Sequence, residues 1–318
     1  MLNMFMYLLL LIMLMVSIAF FTLIERKILG YIHVRKGPVK VGFYGILQPF
    51  SDVIKLFIKG MNSMWFMNSM LYLFMPCMAL FLMFMFWVMM VWGNNQILLE
   101  NGIIYFLCIS SLGVYVIMFS GWASNSKYSL LGGLRGLAQV ISYEVGMAMI
   151  LLSLILMVGS YSIYYVIEYQ LNYFFLGGFF ISFVMWFVSC LAETNRSPFD
   201  LSEGESELVS GFNIEYGSYS FAILFMAEYG CIMYVSALSC IMFIGSLGKL
   251  CCYMMLMIYL FIVIRGTLVR FRYDNLMLMA WSMILPVSIN LFIVCFYMKN
   301  TYMYFLCIKF SKTFSLLF

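Results

Sequence analysis

The chain has 318 residues, of which 65% are hydrophobic and only 9% are charged, with a formal net charge of +4. A soluble domain is about half apolar and about a quarter charged, so a water-soluble fold could not cover this much apolar surface. These values exclude a soluble globular protein and predict an all-α integral membrane protein.

Eight apolar stretches approach or exceed the roughly 20 residues that a helix needs to cross a bilayer. In chain order they are Leu2–Ile24, Leu71–Trp92, Ile103–Gly121, Leu137–Met157, Tyr173–Leu191, Ser220–Cys240, Ile244–Ile264 and Leu276–Met298. The first stretch lacks a basic start and a small-residue cleavage site, so we expect it to be a retained span, not a signal peptide. We therefore predict one membrane domain over 1–318, with a C-terminal tail at 299–318.

The first loop, at about 25–70, contains a predicted amphipathic helix. Its sequence, GILQPFSDVIKLFIKG, repeats apolar residues at helical spacing, and Pro49 suits a first helical turn. Such a helix is expected to lie flat in the membrane interface. A plain anchoring role is the simplest interpretation of this helix.

Basic residues predict the orientation of the spans. The loops after spans 1, 3, 5 and 7, at about 25–70, 122–136, 192–219 and 265–275, hold 13 of the 17 cations: Arg26, Lys27, Arg35, Lys36, Lys40, Lys55, Lys59, Lys127, Arg135, Arg196, Arg265, Arg270 and Arg272. The positive-inside rule places these loops on the inner side and both termini outside. The bias towards Met, Phe, Leu and Tyr suggests an organelle genome, for which the inner side is the mitochondrial matrix.

The third of these loops is unexpectedly acidic. Its sequence, AETNRSPFDLSEGESELVSGFNIEY, carries six carboxylates and one cation, Arg196; the acids are Glu193, Asp200, Glu203, Glu205, Glu207 and Glu215. Ser197-Pro198 is typical of an N-cap followed by a first helical residue, and Ser202 with Glu205 is spaced as a capping box. Glu203 and Glu207 would then stack on one helix face, where repulsion raises the proton affinity of at least one of them.

Two further acids, Glu144 and Glu228, lie inside predicted spans, and Tyr143 precedes the first. A charged carboxylate at mid-bilayer costs about 2.5–3.5 kcal/mol, so both should face the protein interior or water. Pairing of each with an arginine is the structural alternative. Because cations are too few for all these acids, we favour a hydrated acidic path.

The remaining residue types argue against bound redox groups. Nine cysteines occur without a CxxC spacing, and there is one histidine, His33. Zinc and iron–sulfur sites need clustered thiolates, and the usual nucleotide motifs do not occur. We therefore expect no metal, haem, flavin or iron–sulfur cluster on this chain.

Several motifs together resemble one family. In order, they are FFTLIERKILGYIHVRKGP, QPFSDVIKLF, GLRGLAQVISYE, LAETNRSPFDLSEGESELVSGFNIEY, MAEY and RGTLVRFRYDNLM, which extend from about residue 15 to 286. They resemble subunit 1 of NADH:ubiquinone oxidoreductase, respiratory complex I of the mitochondrial inner membrane. The resemblance implies a membrane subunit of eight tilted helices at the foot of the peripheral arm.

The resemblance also implies roles for individual residues. Ubiquinone would bind in a chamber shared with peripheral-arm subunits, and neighbouring membrane-arm subunits and lipid would be the other partners; nucleic acid would not. Six residues would line or edge the ubiquinone tunnel: Glu25, Arg26, Arg35, Phe50, Asp52 and Arg272. Eight would form the proton path: Tyr143, Glu144, Glu193, Asp200, Glu203, Glu205, Glu207 and Glu228.

Three other interpretations remain open at this point. The related membrane subunit of a membrane-bound hydrogenase shares the acidic loop but need not bind quinone. A stand-alone ion transporter is less compatible with the absence of an internal repeat. A structural anchor would leave Glu144 and Glu228 unexplained.

Overall fold

The computed structural model describes residues 2–60, 65–90, 100–171, 174–202, 204, 211–245 and 250–314, with the backbone alone for 2–7 and 302–314. The described residues are helical and contain no strand, which confirms the predicted all-α class. The helices are α1 Leu2–Ile32, α2 Gln48–Ile58, α3 Ser69–Val88, α4 Gly102–Ala123, α5 Lys127–Val158, α6 Ile163–Gln170, α7 Phe175–Gly178, α8 Phe180–Glu193, α9 Ser218–Phe243, α10 Leu250–Thr267, α11 Tyr273–Leu278 and α12 Leu285–Phe314. Two 3₁₀ turns, Phe43–Gly45 and Gly211–Asn213, and a π segment, Met279–Ile284, complete them.

Seven helices of the described residues are long and apolar enough to cross a membrane. They are α1, α3, α4, α5, α9, α10 and the continuous helix that begins with α11. The remaining predicted span, Tyr173–Leu191, is divided into α7 and α8, and α8 alone is 14 residues long. The division falls at Phe179, after Gly177 and Gly178, and glycine pairs weaken a helix because they have the largest backbone entropy to lose.

Two helices are longer than their apolar stretches predict. Helix α1 continues to Ile32, and α5 begins at Lys127, ten residues before the predicted span. The predicted loop 122–136 is therefore reduced to residues 124–126. Ser126 caps α5 by accepting a hydrogen bond from the Ser129 amide. The polar residues at these helix ends consequently occupy fixed positions on rigid elements.

Helix α5 lies at the centre of the bundle and packs against α4, α8 and α12. Glycines allow its close approach to α4: a β-carbon on Gly121 would lie 2.8 Å from the Ser129 carbonyl oxygen. Small residues at such contacts are typical of helices packed within membranes. The largest fully buried side chains near this axis include Trp186, Tyr143 and Tyr234.

Helix α2 confirms the predicted amphipathic segment, and Pro49 lies in its first turn. It contacts α1 and α9, while Ile54, Phe57 and Ile58 stay exposed. An exposed apolar face on a helix of 11 residues is what an interfacial location requires.

Candidate functional site

The last turns of α1 carry a buried carboxylate, Glu25, whose residue is 5% exposed. Arg265 of α10 donates a hydrogen bond to Glu25 Oε1, and Arg196 Nη1 lies 3.6 Å from the same oxygen. The Tyr229 hydroxyl donates to Glu25 Oε2 at 2.5 Å. These four residues, here called the Glu25 cluster, join α1, α9, α10 and the loop after α8.

Arg196 is the most buried cation of the cluster, with a side chain 13% exposed. Its guanidinium carbon lies 4.3 Å from the centre of the Tyr229 ring. Burial alone would lower the pKa of Arg196, but Tyr229, Glu25 and Glu228 together hold that pKa above its ordinary value. Arg196 is therefore a permanent positive charge. Its Nη2 is buried and has no hydrogen-bond partner within the described ranges.

A small cavity of about 10 Å³ adjoins this charge cluster. Its walls combine the charged groups with the apolar side chains of Phe21, Ile232 and Phe261. This volume holds about one water molecule. The cluster is thus nearly closed within this chain.

The loop that presents Arg196, residues 194–202, is held by Gln139 of α5. The fully buried side-chain amide of Gln139 donates to the carbonyl oxygens of Ala192 and Phe199, at 2.8 and 2.7 Å. The predicted helix start at Ser197-Pro198 is wrong, because the chain forms turns there and the two residues share a cis peptide bond. Tertiary hydrogen bonds, not a helix cap, shape this loop.

The second loop at this end of the bundle, residues 268–272, pairs with the first. The Phe271 amide donates to the Pro198 carbonyl oxygen at 3.1 Å. Arg270 Nη2 lies 3.5 Å from Asp200 Oδ2, whereas the exposed Arg272 pairs with Asp274. Three more acids were predicted here and lie outside the described residues: Glu203, Glu205 and Glu207. The predicted capping box includes Glu205, so it lies outside the described residues as well.

Electrostatic interactions connect the acids predicted inside the bundle into a series, here called the acidic row. Glu228 acts electrostatically on Arg196, and Glu228 and Glu193 both act on Cys231. Glu193 in turn interacts with Glu144. The row therefore runs from Arg196 through Glu228 and Glu193 to Glu144.

Glu193 is the last residue of α8, whereas Glu144 lies in the middle of α5. Glu193 Oε2 is buried and has no hydrogen-bond partner in the described part of the chain. Glu144 Oε1 accepts a hydrogen bond from Ser110 of α4 at 3.1 Å. Neither Glu193 nor Glu144 has an ion pair with a described cation. Glu228, the other acid of the structural alternative, interacts with Arg196.

Tyr143 occupies a different position from its neighbour in sequence. It is 1% exposed, and its hydroxyl donates to the Leu276 carbonyl oxygen at 3.0 Å. Its ring lies 6.1 Å from that of Phe199. In this arrangement Tyr143 connects α5 to α11 and does not hydrogen-bond to an acid of the row.

The residues predicted at the tunnel entrance lie around α2. Arg26 Nη1 contacts Asp52 Oδ2 at 2.5 Å, and the Phe50 ring packs edge-on against Phe20 at 5.9 Å. Arg35 is exposed in the loop after α1, where its amide bonds to the Gly30 carbonyl oxygen.

Sequence reasoning did not include Tyr229, Arg265 or Arg196 among the site residues, yet they make the Glu25 cluster. Two signals point to them. Tyr229 ends the MAEY motif that contains Glu228, and Arg265 begins the RGTLVRFRYDNLM motif. A buried carboxylate needs cations and donors, which these motifs supply.

Comparison with known proteins agrees with this architecture. The family model described as NADH dehydrogenase matches residues 5–296. A Rhipicephalus sanguineus protein named NADH-ubiquinone oxidoreductase chain 1 is 51% identical over 311 residues, which is 98% of this chain and 99% of that protein. The protein of the same name from Aedes aegypti is 51% identical, over 89% of this chain and 91% of its own length. That from Didelphis virginiana is 44% identical, over 91% of this chain and 93% of its own length. The chain therefore belongs to the NADH dehydrogenase family, as a chain 1 subunit of NADH-ubiquinone oxidoreductase.

Proposed function

We propose that this subunit frames the tunnel through which ubiquinone reaches the peripheral arm, and that its acidic row couples quinone reduction to proton translocation. The subunit is a multi-pass protein of the mitochondrial inner membrane. Both termini face the intermembrane space, and the loops at 192–219 and 265–275 face the matrix and the peripheral-arm subunits. The single observation that supports the proposal is the set of electrostatic interactions between Arg196 and Glu228 and between Glu193 and Glu144.

The tunnel is proposed to begin at α2. The exposed apolar face of this helix opens towards lipid, where a long isoprenoid tail resides. The ion pair between Arg26 and Asp52 and the ring of Phe50 frame the space between α1 and α2. Apolar walls with few polar groups suit a hydrophobic ligand.

The quinone headgroup is not accommodated in the Glu25 cluster of this chain alone. The cavity of about 10 Å³ is far too small for an aromatic ring. The loops at 194–202 and 268–272 instead form one wall of a chamber that peripheral-arm subunits complete. The groups that bind the headgroup then belong to those partners.

The acids respond to the chemistry through electrostatics. Reduction of the quinone draws protons towards the chamber, and the resulting charge change shifts the proton affinity of Asp200, Glu203, Glu205 and Glu207. The loss of each proton adds a negative charge, which raises the proton affinity of the neighbouring carboxylates. Carboxylates that interact strongly titrate together, so a change at one acid passes along the row.

Arg196 sets the direction of that response. Because it stays positively charged, it stabilises negative charge on Glu25 and on Glu228 at the same time. Glu193, at the end of α8, lies farther along and binds protons more readily, since burial disfavours its charged form. Protons are thus held at the Glu193–Glu144 end, from which they pass to the neighbouring membrane-arm subunits.

Glutamine substitutions at Glu228 and Glu144 test this proposal. In the intact complex reconstituted into vesicles, Glu228→Gln and Glu144→Gln should lower the number of protons pumped per NADH oxidised at least about threefold. Reduction of the iron–sulfur clusters by NADH should be unchanged. The matched control is Glu100→Gln, because Glu100 is an exposed acid beyond the row.

Two results would decide against the coupling role. One is an unchanged pumping ratio in both variants while the control behaves as the wild type. The other is an equal loss in the Glu100 variant, which would indicate a general effect of charge on assembly.

A further inference from the structure

A second cavity, of about 290 Å³, lies where α5 ends. It is lined by Val158, Ser160, Tyr165, Glu168 and Tyr169, from the end of α5 and from α6. Val158 is 19 residues beyond Gln139, which is about 28 Å along the helix. The cavity is therefore remote from the Glu25 cluster, and the proposed function does not use it.

Two opposite charges flank this cavity without contacting each other. Glu168 is exposed, and its carboxylate forms no ion pair or hydrogen bond with the described side chains. Lys299 of α12 lies beside the cavity, because its Nζ is 3.2 Å from the position of a β-carbon on Gly159, the residue between the lining residues Val158 and Ser160. It is likewise without an ion pair among the described residues.

The surface around the cavity has the composition of a membrane interface. Helix α6 buries Ile163, Val166 and Ile167 against the bundle. Its opposite face and the turn before it expose four tyrosines: Tyr161, Tyr164, Tyr165 and Tyr169. Tyrosine is enriched at the level of lipid headgroups, because its ring is apolar and its hydroxyl is polar.

We propose that this cavity binds the headgroup of a zwitterionic phospholipid. The ammonium group contacts the Glu168 carboxylate and the faces of Tyr165 and Tyr169, since aromatic faces and a carboxylate together attract a headgroup cation. The phosphate lies at Lys299, near the Ser160 hydroxyl, which is buried in the cavity wall and has no partner among the described groups.

The charge arrangement selects this class of lipid. A zwitterionic headgroup carries one positive and one negative charge a few atoms apart, which matches an acid that lines the cavity and a base beside it. A lipid with only negative charge would place nothing favourable against Glu168. Lys299 also stabilises the carbonyl end of α5, but that role leaves Glu168 and the tyrosines without a function.

Photo-crosslinking in the intact complex tests the site. The complex, in nanodiscs, is illuminated with a trace of phosphatidylcholine that carries a diazirine in its headgroup, and cross-linked peptides are mapped. We expect cross-links within residues 158–170. Unlabelled phosphatidylcholine or phosphatidylethanolamine should compete, and phosphatidylglycerol should compete at least about fivefold less well.

Variants separate a lipid site from general adhesion. Glu168→Gln and, as a second variant, Lys299→Gln should lower cross-linking at 158–170 at least about fivefold, while Glu100→Gln leaves it unchanged. NADH:ubiquinone reductase activity at the wild-type level shows that each variant is assembled. The proposal is overturned if 158–170 are not labelled, as when another subunit covers the cavity. It is also overturned if phosphatidylglycerol competes equally, or if both variants label like the wild type.

Discussion

Glu25→Gln removes the carboxylate that contacts both Arg196 and Arg265. Removing one partner of a buried ion pair costs about 3–5 kcal/mol, because the other charge is left in a medium that solvates it poorly. The side chain of Arg196 is only 13% exposed, so this cost applies to it. That of Arg265 is 36% exposed and can regain water, so its share is about 0–1 kcal/mol.

The closed state of the loop should therefore lose about 3 kcal/mol of stability. This value is at the lower end of the range, because Arg196 keeps its interactions with Tyr229 and Glu228. Each 1.4 kcal/mol is about a factor of ten in an equilibrium. The population in which the loop at 194–202 is open should rise about 100-fold.

The thiol of Cys190 reports that opening. Cys190 lies near the end of α8 and is 1% exposed. Its backbone carbonyl oxygen accepts a hydrogen bond from the amide of Thr194, at the start of the loop. If opening and closing are fast relative to modification, the rate of labelling by a maleimide follows the open population. Labelling in the intact complex should accelerate about 100-fold in the Glu25 variant.

Two further variants make the argument refutable. Arg265→Gln should accelerate labelling of Cys190 by no more than about fivefold, because its pair is partly solvated. Adding Arg196→Gln to Glu25→Gln should slow labelling again by about tenfold, since the unpaired charge is gone. If the double variant labels as fast as Glu25→Gln, or if Glu25→Gln changes the rate less than threefold, the charge cluster does not hold the loop.

Three other substitutions have expected outcomes that differ in sign and size. Gln139→Leu removes two buried hydrogen bonds, to the Ala192 and Phe199 carbonyl oxygens, at about 0.5–1.5 kcal/mol each, and should lower the temperature at which the complex loses quinone reduction. Gly132→Ala places a β-carbon 2.8 Å from the Gly211 backbone, so it should lower the yield of intact complex. The control is Gly113→Ala, whose β-carbon meets open space and should leave that yield unchanged or raise it. Arg26→Gln breaks an exposed ion pair, so thermal stability should change by less than about 1 kcal/mol while the KM for ubiquinone rises.

The sequence by itself determined the class of the protein and most of its helices. Apolar runs of span length predict transmembrane helices because an unpaired backbone cannot exist in lipid. The pattern around Pro49 likewise predicts α2, since amphipathic spacing depends only on neighbours along the chain. The motifs also identified the family, and Glu144, Glu193 and Glu228 were expected to form one path.

Local patterns were less successful where distant contacts decide the structure. Ser197-Pro198 has the composition of a helix start, but the Gln139 amide and the Phe271 backbone hold the segment in turns. The predicted span at 173–191 has the right hydropathy, but its glycine pair allows the packed bundle to divide it. The resemblance assigns Tyr143 to the proton path together with Glu144, and only the structure shows that its hydroxyl reaches α11.

What the tertiary structure alone decided is which charges meet. Glu25 pairs with residues 204 and 240 positions away, Tyr229 and Arg265, and such pairs leave no trace in the spacing of either motif. The physical reason is that a carboxylate entering a low-dielectric interior requires cations and donors, and any helix that packs beside it can supply them. Hydropathy places Glu25 at a helix end; the packing of α1 against α9 and α10 makes Glu25 the centre of a site.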